Sequence, residues 1–245
     1  MLRLESDDPL AAAVTAAIRG GDLAALRRLL EDHPGLAGAR VVKRGAAAGE
    51  RSLLHLATDW PGHCPHTAEV IALLVAAGAD PAARFVGAHE ETPLHWAASN
   101  DDVTALDALV AAGADIEATG GLIGAGTPLA DARAFGQWRA ARRLLGHGAR
   151  PDLHDAATLG LLDRVTALLD AEPAEPEEVD WAFWNACHGG QLSTAQYLLS
   201  QGADIDWIGH AAQTPLDMAL TSENTQLIGW LRACGAHTRA EIHTT

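Results

Sequence analysis

The chain has 245 residues, 48% of them hydrophobic, and a formal net charge of −15. That length allows a sizeable core and one or two domains. The acidic balance argues against nucleic acid and anionic membrane as partners, because both call for basic patches. No stretch approaches the ~20 apolar residues of a membrane span.

The start, "MLRLESDDPL", lacks the basic-then-apolar order of a secretion signal. Cys64, Cys187 and Cys234 lie far apart and suit a reducing compartment better than a disulfide framework. These features lead to the expectation of a soluble, cytoplasmic protein. Lys43 is the only lysine, a bias that GC-rich coding is enough to produce. Trp outnumbers Phe and Tyr together, seven against four.

A helix-turn-helix pattern repeats along the chain. It begins with "PLAAAVTAAIRGGDLAALRRLL" over 9–31. "VVKRGAAAG" follows and reads as a loop, which makes a buried amine nucleophile at Lys43 an unfavoured idea. The second pair, 52–77, starts at "SLLHLATDW". The third, 92–112, is "TPLHWAASNDDVTALDALVAAGAD", and the fourth, 127–147, is "TPLADARAFGQWRAARRLLGHGAR". The fifth, 151–170, ends in "DAEPAEPEEVD", which reads as a polar loop. The sixth spans 181–201, the seventh 214–234, and "HTRAEIHTT" at 237–245 reads as a fraying tail.

Thr92 to Gly113, Thr127 to Gly148 and Thr214 to Gly235 share one spacing, and Trp181 to Gly202 matches it. Pro after Thr suits the first turn of a helix. Val103, Leu106, Leu109 and Val110 recur at helical spacing, and Gly at the helix end suits a left-handed cap.

The Thr-Pro-Leu-His starts and Gly-Ala-Asp ends resemble the ankyrin repeat, over nearly the whole chain. The resemblance implies an all-α solenoid of about seven helix-turn-helix repeats with short β-hairpin fingers. It would form a single domain over 1–245, with a capping pair at 9–31 and repeats starting near 52, 92, 127, 151, 181 and 214. Gly202 to Thr214 has the family's finger spacing. Gly78–Thr92 and Gly113–Thr127 are longer, and Gly148–Pro151 leaves no room for a finger, so the middle is irregular. Solenoids with capped ends are usually monomers.

The resemblance also assigns a structural role to His55, His95 and His154, which occupy the Thr-Pro-Leu-His position and would bond locally to support the next repeat. The column after it holds Leu56, Trp96, Asp131, Asp155, Asn185 and Met218. Burying a carboxylate without a partner is costly. Asp131 and Asp155 therefore either face a solvated groove or are paired, with Arg133, Arg139, Arg142 and Arg143 as partners in reach. A two-carboxylate site in a cleft is the sharper alternative, with one group as acid and the other as base.

The ends of the inner helices would face the groove. They hold Ser99–Asn100, Ala134–Phe135, Thr158–Leu159, His188–Gly189 and Thr221–Ser222. The fingers add Phe85, His89 and Glu90, then Leu122 and Ile123, then Trp207, Ile208 and His210. Exposed apolar tips point to a contact partner, whereas tips turned inward would roof a cleft. "GGLIGAGT" lacks the Lys of a phosphate loop, since Thr127 follows Gly126.

"TDWPGHCPH" lengthens the turn of the second pair. His63, Cys64 and His66 are soft-metal ligand types, yet their tight spacing lacks the distributed ligands of a zinc site. The loop reads as a wall piece that anchors Trp60 and places Asp59 beside a groove near Trp96 and His89. Trp184 belongs to the same groove.

The leading expectation is a protein-protein interaction module that binds through its groove and finger tips. The alternative is a small-molecule binder or a cofactor-independent acid-base enzyme using Asp59, Asp131, Asp155 and His89. No cofactor or metal is expected, because no cofactor motif is visible.

Overall fold

Most helix pairs begin on a side chain that caps free backbone amides. The Thr127 hydroxyl accepts from Ala130 N–H at 3.3 Å, and the Thr214 hydroxyl accepts from Asp217 N–H at 3.2 Å. Pro follows both and occupies the first turn, where no amide is needed. Most pairs close on a left-handed glycine such as Gly113, with φ of 90°, whose N–H bonds Val110 O at 3.0 Å.

The structure, a computed structural model, describes residues 2–45, 48–172 and 174–242. Ala46 and Ala47 of the first loop, Pro173 of the polar loop and 243–245 of the tail lie outside the described residues. The chain divides into two compact units, Met1–Arg150 and Pro151–Thr245. The division falls where the sequence leaves no room for a finger.

The first unit contains α1 (Pro9–Gly20), α2 (Leu23–Asp32), α3 (Leu53–Thr58), α4 (Thr67–Ala76), α5 (Pro93–Ser99), α6 (Val103–Ala111), α7 (Pro128–Ala134) and α8 (Trp138–Gly146). The helices α1, α3, α5 and α7 pack in succession as an inner row. The helices α2, α4, α6 and α8 form an outer row behind them. Leu54, Ile71, Leu74, Leu94, Leu106, Leu109, Leu129 and Leu144 are fully buried between the rows. Burying each is worth about 1.5–3 kcal/mol, which neither helix of a pair can collect alone.

The all-α expectation needs correction: the unit is mostly helical but carries a small sheet. Strands β1 (Arg3–Glu5), β2 (Arg40–Lys43) and β3 (Gly49–Ser52) pair in that order. Leu4 and Val41 face the core and are buried. The β1–β2 pair is parallel, with Leu4 opposite Val41. Parallel strands need a long crossover, and α1 with α2 provides it. Lys43 therefore ends a strand rather than sitting in a loop.

The expected hairpin fingers are turns among the described residues, not strands. Ala83 N–H bonds Asp80 O at 3.1 Å, and Ala118 N–H bonds Asp115 O at 3.2 Å. One isolated bridge, Glu50 to Val86, ties the first finger to β3.

The second unit contains α9 (Leu153–Thr158), α10 (Leu162–Ala171), α11 (Pro176–His188), α12 (Leu192–Ser200), α13 (Pro215–Thr221), α14 (Thr225–Ala233) and α15 (Arg239–Ile242). Here α11 packs between α9 and α13, over a core that includes Phe183, Cys187, Leu198, Leu216 and Leu231. The helix α11 starts earlier than the sequence reading has it. Pro176 takes its first turn, and Glu177 and Glu178 sit where the helix dipole favours negative charge. Part of the tail is also helical. The Glu241 carboxylate accepts from Thr238 N–H at 2.7 Å and pairs with Arg232 at 2.7 Å, which fixes α15. Among the described residues, no helix is long and apolar enough to cross a membrane.

Candidate functional site

In the first unit the histidines of the repeated motif join one pair to the next. The His55 ring lies 2.8 Å from Ser52 Oγ and 3.0 Å from Glu91 O. A carbonyl only accepts, so Nε2 carries the proton and Nδ1 accepts from the hydroxyl. His95 repeats this, accepting from Thr92 N–H at 3.1 Å and donating to Gly126 O at 3.1 Å. Burial pushes the pKa down to about 3 for His55 and about 4 for His95. Neutral rings bonded on both nitrogens are structural.

Phe85 and Trp96 come together over this frame. The Phe85 and Trp96 ring centroids are 5.5 Å apart, and His55 meets Trp96 edge-on at 4.8 Å. Phe85 is therefore buried at the base of its finger, and Val86, 50% exposed, takes the tip. His89 is half-buried and Glu90 exposed. Glu90 N–H bonds Gly120 O at 3.2 Å, and Arg84 Nη1 donates to Glu90 O at 3.1 Å and to Thr119 O. These bonds tie the first finger to the second. At the tip of the second, Leu122 and Ile123 are 41% and 37% exposed.

Asp131 holds the second finger from below. It is fully buried in α7 and accepts from Ile123 N–H at 3.2 Å and Leu122 N–H at 3.4 Å. Burial pushes its pKa up to about 6, against the pull of the Ile123 amide. The nearby Glu91 carboxylate adds to the rise. Of the arginines named from sequence, two serve other acids and one acts on Asp131. Arg143 binds Asp107 at 2.6 Å, Arg139 approaches Asp101 at 3.8 Å, and Arg133 acts on Asp131 through its charge.

The inner-helix ends also do structural work. Asn100 Nδ2 donates to Thr58 O at 2.8 Å, and Ser99 O accepts from Gln137 Nε2 at 2.9 Å. Phe135, just past α7, is 45% exposed.

The expectation that the 59–66 loop anchors Trp60 as part of a wall is corrected. Trp60 is 79% exposed. The loop is held instead through polar groups. Asp59 pairs with Arg19 of α1 at 2.6 Å. His63 N–H donates to Asp102 at 2.7 Å, and its ring Nε2 donates to Asn100 O at 3.0 Å. His66 begins α4 with φ of 54° and lies 3.6 Å from Glu69. Burial raises the pKa of the Cys64 thiol. Among the described residues, no group of three or more His, Cys, Asp or Glu side chains is arranged to hold a metal ion.

In the second unit Asp155 closes a capping box. Its N–H donates to Asp152 Oδ1 at 2.7 Å, and its carboxylate accepts from Asp152 N–H at 3.4 Å. Asn185 donates to Trp181 O at 2.8 Å and accepts from the Thr158 hydroxyl at 3.3 Å. Trp184 Nε1 donates to Gln213 O at 3.0 Å, and the His188 ring lies 5.8 Å from its ring. Trp207 turns inward, 5.0 Å from the Trp181 ring, while Ile208 points outward, 42% exposed, and His210 is exposed.

Asp131 and Asp155 are thus each engaged by amides of their own unit, which gives the acid-base reading no support. Sequence reasoning missed Arg51, whose guanidinium lies 5.3 Å and 5.6 Å from the Phe85 and Trp96 ring centroids. The only signal was its place just before the helix start at Ser52. Residues 89–120, which span the end of one finger, α5, α6 and the start of the next, match the family model of the ankyrin repeat. No curated protein gives a significant match to the chain.

Proposed function

We propose that this chain, an ankyrin-repeat protein, binds a protein partner through the tips of its fingers. The repeat is in general a protein-protein interaction module, and the finger tips support this choice of face. The observation that carries the reading is the exposure of apolar side chains at those tips. Val86, Leu122 and Ile123 stand on two adjoining fingers of the first unit. Apolar side chains gathered on turns that their own backbone holds in place are a contact surface rather than a defect of packing.

The fingers are preorganised for this task. Glu90 N–H to Gly120 O, Arg84 to Thr119 O and Asp131 to the Leu122 and Ile123 amides all fix them before a partner arrives. A surface ordered in advance loses less entropy on binding. Phe135 adds an exposed aromatic beyond the end of α7, of the kind that anchors interfaces. In this reading the remaining helix pairs are further repeats of the same kind, and the chain acts in the cytoplasm as a monomer.

The test is affinity capture from a lysate with the wild-type chain and with Leu122→Asp/Ile123→Asp. Specific capture that the double substitution abolishes, with the melting temperature unchanged, supports the reading. The same captured proteins with both baits would overturn it.

A further inference from the structure

In a chain of net charge −15, three cations meet at one cleft of the first unit. The cleft has a volume of about 370 Å³, bounded by α1, the β2–β3 hairpin and α3. Arg19, Lys43 and Arg51 line it together with a single carboxylate, Asp59. Val41 and Leu56 contribute apolar lining.

The neighbouring acids are already taken. Asp59 is paired with Arg19, Glu50 with Arg3, and Glu5 with Arg44. Among the described residues, no acid pairs with Lys43 or Arg51, so the cleft carries two unmatched positive charges.

Arg51 is held ready rather than left loose. Its guanidinium rests against the Phe85 and Trp96 rings, at 5.3 Å and 5.6 Å from their centroids. Contacts of this kind orient the planar group and leave its edge nitrogens for hydrogen bonding. One of those nitrogens, Nη1, is buried without a hydrogen-bond partner. A half-buried guanidinium that lacks both a countercharge and a full set of bonds carries a desolvation cost. An anion beside it would supply both.

We propose that this cleft binds a small organic dianion, a dicarboxylate or a phosphate monoester, through Arg51 and Lys43. Two negative charges match the two unmatched cations, and the volume is that of a small-ligand site. Val41 and Leu56 meet the carbon portion, and Arg19 stays with Asp59.

Succinate and inorganic phosphate, titrated separately into the full chain and followed by NMR amide shifts, test the assignment. Binding of either is expected to shift the signals of Val41, Lys43 and Arg51 and to weaken as salt is added. Succinate alone would identify the carboxylate source, and phosphate alone the phosphoryl source. Lys43→Gln and Arg51→Met should each weaken binding by roughly tenfold, while Arg142→Gln, an equal change of charge outside the cleft, should not. Because Arg51 packs on aromatic rings, the rim substitution Lys43→Gln keeps the test valid if Arg51→Met fails to fold. The proposal is overturned if neither anion shifts these signals at about 10 mM, well above a useful affinity, or if all three variants weaken binding equally.

Discussion

The Nε2 of His55 lies 3.0 Å from the backbone oxygen of Glu91, a bond that reaches from one helix pair to the finger before the next. His95 does the same for Gly126 at 3.1 Å. Replacing either by alanine removes a buried ring and leaves its carbonyl unsatisfied, at a cost of about 2–4 kcal/mol. Denaturant midpoints of His55→Ala and His95→Ala should fall accordingly, and a change within error would remove the structural role.

The same two rings set a pH dependence. Their folded pKa values, about 3 and about 4, lie below the ordinary 6.5. As pH falls below 6.5 the unfolded chain takes up protons that the folded chain refuses. Their contribution is complete above the unfolded value and is lost progressively toward the folded values. Melting temperature should drop between pH 7 and pH 4.5, and His95→Gln should make that drop shallower.

Asp131 acts with the opposite sign. Its folded pKa of about 6 lies above the ordinary 3.8, so the folded chain binds the extra proton between those values and gains stability as pH falls through that window. Asp131→Asn should therefore steepen the acid-side loss of stability. Asp131→Ala strips the Leu122 and Ile123 amides of their acceptor and should cost about 1–3 kcal/mol. An Asp131→Ala variant as stable as wild type would return this residue to the list of free acids.

In the second unit, Gly189 marks the close approach of α9 and α11. A Cβ there would stand 1.8 Å from Thr158 O, which is backbone and cannot swing aside. Gly189→Ala should destabilise the chain by about 1–3 kcal/mol through forced separation, read as a shifted urea midpoint. An unshifted midpoint would mean the two helices sit farther apart than described.

The 59–66 loop separates two roles that the sequence reading merged. Trp60→Ala should change stability by less than about 0.5 kcal/mol, because the ring is mostly in water. Asp102→Ala should cost about 1–2 kcal/mol, since it removes the acceptor for His63 N–H and for the α6 cap at Ala105. Faster hydrogen exchange at the His63 amide in Asp102→Ala, and not in Trp60→Ala, is the expected signature.

The Thr-Pro starts and closing glycines made the helix pairs legible, because caps are local and their residue types are restricted. The histidine role came from the resemblance to the ankyrin repeat, and it holds for His55 and His95. The sheet was not, because β1 and β2 pair across two intervening helices, and short strands such as "RVVK" carry little periodicity of their own. The early start of α11 was hidden because Pro176, which takes its first turn, was read as part of a polar loop. Asp131 was noticed as odd, but its partners are backbone amides, which no residue type announces. Trp60 misled because a large aromatic in a turn was read as held beside a groove, whereas the ring stands mostly in water. Arg51 escaped notice because its meaning comes from Phe85 and Trp96, far from it in sequence.

The most direct measurement of the central claim is hydrogen-deuterium exchange of the full chain with and without its captured partner. The account predicts protection at the finger tips, residues 85–90 and 120–125, with the outer row of helices unchanged. Protection on α2, α4, α6 and α8 with free exchange at those tips would contradict it.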